Sequence, residues 1–64
     1  MDAAIRTMVE IKIDVLRSMP NNNFAYGQAL GFLNGVFTAG ALTYDEYNKF
    51  HEEINDIVKQ SDRR

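Results

Sequence analysis

Apolar residues recur at helical spacing in three stretches of this chain, separated by two breaks. Between Asp2 and Ser18, the residues Ile5, Met8, Val9, Val15, Leu16 and Met19 fall on one side of a wheel turning about 100° per residue. Ile11 and Ile13 widen that sector on opposite flanks, and Arg6, Glu10, Asp14 and Arg17 form the polar side. The sector is broader than a single neighbouring helix requires. Lys12 lies near its middle, where it can bury its methylenes and carry its ammonium outward, or pair with a partner's carboxylate. The β-branched run Val9, Ile11, Ile13, Val15 also suits a strand, but the longer helical period and the helical neighbours favour a helix.

Pro20-Asn21-Asn22-Asn23 breaks the pattern, because proline turns its predecessor away from helix and an asparagine can cap the next helix. Asn22 or Asn23 is the expected cap of a second helix, whose main apolar face is Tyr26, Ala29, Leu30, Leu33, Val36 and Phe37. Gly40 is placed to end it in a left-handed conformation. Thr43-Tyr44-Asp45-Glu46 then fits a capping box, with Leu42 and Tyr47 as its hydrophobic staple. Tyr47, Phe50, Ile54, Ile57 and Val58 make a narrow stripe edged by Tyr44 and His51, while Asp45, Lys49, Glu52, Glu53, Asp56 and Lys59 face water. Asp45–Lys49 is a favourable i,i+4 pair.

These signals predict an all-α fold of three short helices over about 2–18, 24–39 and 44–60, with a frayed basic tail at 61–64, in one domain spanning 1–64. The connections Met19–Asn23 and Gly40–Leu42 are short enough to make sequential helices antiparallel neighbours.

The most informative feature is the ridge Gly27, Gly31, Gly35 on the second helix. Each glycine lowers helix propensity by roughly 1 kcal/mol relative to alanine. What such a ridge permits is close approach of another backbone. The simplest expectation is packing of the first helix against the second within one chain. The alternative is a face for self-association or for a partner. Phe24 and Phe32 lie off the main stripe of the same helix, so it is expected to be buried on more than one side. Three short helices have little chain left to cover it. A second copy, most simply a symmetric dimer, is the expected cover. The candidate interaction residues are therefore Gly27, Gly31, Gly35, Phe24, Phe32, Lys12, Ile11 and Ile13.

Composition narrows the function further. The 64 residues include no cysteine, which excludes disulfide stapling, thiol nucleophiles and cysteine-based metal sites. Seven lysines and arginines against nine acids leave a formal charge of -2, which argues against non-specific affinity for nucleic acid or anionic membrane. No basic n-region or uninterrupted apolar segment marks a secretory signal at the start, so a cytoplasmic protein is expected. Ser18–Tyr44 is uncharged over 27 residues, yet it contains polar residues, glycines and Pro20, and no basic cluster flanks it, which favours a buried or oligomer-facing helix over a membrane span. His51-Glu52-Glu53 lacks the second histidine of a zinc motif, since position 55 is asparagine. The acids of the third helix lack the glycine-centred loop of a calcium site, and the glycine ridge lacks the lysine and strand context of a phosphate loop. No catalytic residue, metal ligand or cofactor is expected.

The stretch from Phe32 to Tyr47 resembles the short helical-hairpin modules found near the C-termini of many bacterial proteins. Gly40, Leu42, Thr43, Glu46 and Tyr47 match their glycine turn, apolar residue, threonine, acid and aromatic. The glycine ridge and the first helix depart from that pattern. The resemblance implies a small helical module with oligomerising or regulatory roles and supplies no catalytic residue. The expected function is non-catalytic protein interaction: self-association, and docking on or regulation of a larger protein, as an inhibitor or accessory factor of the kind phages and mobile elements encode. Two alternatives are a small DNA-binding regulator and a single-span membrane peptide using the glycine ridge.

Overall fold

Each helix begins where a side-chain oxygen takes up a free backbone amide. The computed structural model describes residues 2–62 and forms α1 (Ala3–Ser18), α2 (Asn23–Thr38) and α3 (Tyr44–Asp62), with no strand among the described residues. Asp2 caps α1 through its carboxylate, which accepts from the Ala4 amide at 2.7 Å. Asn22 caps α2 in the same way, accepting from the Ala25 amide at 3.0 Å. At the start of α3 the capping box closes in both directions: the Glu46 amide donates to Thr43 Oγ1 at 3.1 Å and the Thr43 amide donates to Glu46 Oε1 at 2.8 Å. Gly40 ends α2 at φ +81°, and the amides of Gly40 and Ala41 return to the carbonyls of Phe37 and Val36, the pairing of a Schellman motif.

The third helix runs further than expected. Ser61 is buried, and its hydroxyl donates to Asn21 Oδ1, tying the end of α3 to the α1–α2 connection. The expected fraying at 61 and 62 is thus corrected, and Arg63 and Arg64 lie outside the described residues.

The core takes Val9, Ile13 and Leu16 from α1, Ala25, Ala29 and Leu33 from α2, Leu42 from the second connection, and Phe50 and Ile54 from α3. All three pairs of helices pack on one another, in a body of 36 × 17 × 16 Å. Burial of each large aliphatic side chain here contributes roughly 1.5–3 kcal/mol. On the α2–α3 side, the rings of Phe37 and Tyr47 stack with centroids 4.3 Å apart, and Tyr47 Oη donates to Asn34 Oδ1 at 2.6 Å.

The buried line of α1 differs from the expected one. Ile13, placed at the flank by the wheel, is 2% exposed, whereas Met8, Val15 and Met19, placed on the apolar side, stand 42–49% exposed. Ile13 joins Phe50 and Ile54 of α3 in the core, and the charged flank of α1 lies toward α3, where Arg6 reaches Glu46 at 3.9 Å and Arg17 reaches Glu53 at 3.7 Å. Arg17 also pairs with Asp14 at 2.8 Å. The expected Asp45–Lys49 pair is not among the ion pairs formed by the described residues.

Candidate interaction surface

α1 carries two apolar rows. The inner row, Ile5, Val9, Ile13 and Leu16, packs in the core. The outer row, Ala4, Met8, Ile11, Val15 and Met19, advances by four, three, four and four residues, the spacing of a seam between packed helices. The described residues leave it about half exposed: Ile11 is 54% exposed, Met8 49% and Val15 42%. Phe24, Gln28, Gly31 and Gly35 follow the same four-three-four spacing along the adjoining flank of α2, and Phe24 is 75% exposed. Between the two rows runs an open groove of about 220 Å³, lined mainly by Ile11, Val15, Met19, Phe24, Ala25 and Gln28.

Lys12 is the one charged residue lining this groove. Its Nζ donates to Gln28 Oε1 at 3.1 Å and lies 6.0 Å from the centroid of the half-buried Phe32 ring. The ammonium is turned onto α2 of its own chain, rather than outward or onto a partner's carboxylate. Acidic residues are elsewhere: Glu10 and Asp14 are on the α3 side of α1, where with Arg6, Arg17, Phe50 and Glu53 they line a shallow cleft.

The glycine ridge lies in open space. A Cβ built at Gly27, Gly31 or Gly35 meets no other atom within 4 Å. This overturns the expectation that the ridge packs α1 against α2; those helices meet instead through Val9, Ile13 and Leu16 on one side and Ala25, Ala29 and Leu33 on the other. Ile13 likewise leaves the candidate interaction set, because the core holds it. Ile11, Lys12, Phe24, Gly31, Phe32 and Gly35 share the α1–α2 flank, with Gly27 at its far edge by register. Met8, Val15 and Met19, assigned to the core by the wheel, belong with them. Their signal in the sequence is a second row at seam spacing, separable from the inner one.

Thr43, Glu46, His51 and Asn55 make local contacts. Thr43 donates its amide to the Glu46 carboxylate and holds it below the ordinary glutamate range, with the nearby Arg6 guanidinium adding to the effect and partial burial opposing it. His51 Nδ1 lies 3.1 Å from the Asn55 amide nitrogen, and its ring leans on Tyr47. Among the described residues, no group of three histidines or acids is arranged to hold a metal ion, and no helix is long and apolar enough to cross a membrane. Comparison with family models, with curated proteins and with solved structures gives no match.

Proposed function

We propose that this chain is a non-catalytic, cytoplasmic protein-interaction module that self-associates and docks on a larger protein, in the manner of an inhibitor or accessory factor, and that the outer face of the α1–α2 pair is a surface through which it associates. The reading takes sequential helices as antiparallel neighbours, which their short connections support. The observation that carries it is the outer row of α1: five apolar positions at seam spacing that the described residues leave exposed. A helix with apolar rows on two sides removes all its apolar surface from water only when both are covered. Here the chain covers one. α3 completes the core behind this face and turns its acids away from it, which leaves the face free of carboxylates and open to an apolar helix.

The test is a double substitution, Ile11→Glu with Val15→Glu. Both side chains stand in solvent, so the three helices and the thermal melt should be retained while every association of the chain is lost. Sedimentation of the purified chain, alone and added to an extract of its source cells, reads this out. Associations that persist unchanged in the double variant would contradict the reading, and so would loss of the fold.

A further inference from the structure

We infer that the occupant of the α1–α2 face is a second copy of this chain, joined about a two-fold axis so that two α1–α2 pairs form a four-helix core. The inference rests on the reading of this face as an interaction surface and adds the partner.

Three properties of the face select a second copy. The first is shape. The face has a bulky row, Met8, Ile11, Val15 and Met19 on α1, beside a bare row, Gly31 and Gly35 on α2. A two-fold contact is self-complementary, since a residue of one copy meets its counterpart's neighbour and the reverse holds as well. Bulk beside bareness in one patch is what such a contact needs: the α1 row of each copy stands on the side-chain-free strip of the other's α2. The 4 Å of empty space around Gly31 and Gly35 is then room for a neighbour's side chain.

The second property is area. Met8, Ile11, Val15, Met19 and Phe24 stand 42–75% exposed on this one face, and a standard interface takes about 800 Å² per partner. That requirement is about a fifth of the 4409 Å² surface of the chain. The third is charge. Lys12 already has an acceptor in Gln28 and the face of Phe32, so a copy bringing no carboxylate leaves nothing unpaired. The outward side of α2 bears no charge, since Ser18–Tyr44 contains none, and two copies meet there without repulsion. A lipid surface fits less well, because membrane-bound helices present lysine and arginine on the polar side, whereas α1 alternates Arg6 and Arg17 with Glu10 and Asp14.

Sedimentation equilibrium over a wide range of protein concentration tests the inference with three variants. The wild-type chain should pass from 7.3 kDa to twice that mass as concentration rises. Ile11→Glu should weaken dimerisation by more than about 100-fold. Gly31→Leu should weaken it about 10- to 100-fold, because the new side chain fills the space the second copy needs. The same substitution should raise the melting temperature of the dilute monomer, where nothing lies within 4 Å of the added Cβ and leucine is the better helix former. Those opposite signs separate a lost contact from a damaged fold. Glu52→Ala, on the exposed side of α3, should dimerise as the wild type does. A wild-type chain that stays at 7.3 kDa throughout overturns the second copy. If that monomer still binds a protein in cell extract through Ile11, the interaction face stands and its occupant is a different chain. Dimerisation that survives both Ile11→Glu and Gly31→Leu overturns the inference by placing the contact elsewhere.

Discussion

At the scale of single residues, the start of α3 gives the clearest cause and effect. Thr43 satisfies one exposed amide and Glu46 returns to another, with both bonds at or below 3.1 Å. Thr43→Ala should therefore lower stability by about 1 kcal/mol, measured by denaturant unfolding, with the oligomeric state unchanged. The Glu46 carboxylate has a pH signature. Its folded form titrates below the ordinary glutamate range, so the stability it contributes is present above that range and is lost as pH falls through the folded value. Melting temperature should drop on acidification below the ordinary range, and Glu46→Gln should make that drop smaller. An equal drop in both proteins would assign it to other carboxylates. The capping box was legible in the sequence because its partners are three residues apart, and local spacing carries local chemistry. Tyr47–Asn34 and Ser61–Asn21 were not, because each joins residues brought together only by the packing of helices.

At the scale of elements, a glycine inside α2 and the one that ends it should answer alanine with opposite signs. Gly40 adopts φ +81°, a conformation that alanine reaches only at a cost, so Gly40→Ala should destabilise by about 1 kcal/mol. Gly27 has helical backbone and open space around it, so Gly27→Ala should stabilise by up to about 1 kcal/mol. Thermal melts of the two variants check this directly, and a loss at Gly27 would reveal a contact absent from the single chain. The three helices could be read from the sequence because their caps and breaks are strong: Asn22, Gly40 and Thr43 bound them where expected. The face that α1 buries could not. Its apolar sector is wide enough to turn inward at several angles, and the one adopted buries Ile13 in the core with Phe50 and Ile54, residues of a helix far away in sequence. The glycine ridge misled for a related reason: the period showed that its members share a side of α2 without showing which way that side faces.

At the scale of the molecule, the chain divides its apolar residues between a core and an outer surface. The core is small, nine buried apolar residues among those described, and a domain of this size has little stability to spare. Leu16→Ala should cost roughly 2–5 kcal/mol and leave the chain largely unfolded at low concentration, while Val15→Ala, at the preceding position but 42% exposed, should change the dilute monomer little. Circular dichroism under dilute conditions distinguishes them. At high concentration the order changes: Val15→Ala should then destabilise measurably, because coverage of the outer row by a second copy adds to folding by mass action. A concentration-independent effect at Val15 would mean that the row contributes nothing to assembly.

In the proposed dimer α1 is covered on both sides, inside by its own chain and outside by a second copy. Nuclear Overhauser contacts in a mixed sample, half of it carbon-13-labelled and half unlabelled, decide the matter, since isotope filtering retains only signals between copies. Cross-copy contacts are expected from the methyl groups of Ile11 and Val15 to the α-protons of Gly31 and Gly35, and none from Val9 or Leu16. Cross-copy contacts arising from the exposed side of α3 would refute this arrangement, as would their absence at concentrations where the chain has doubled its mass.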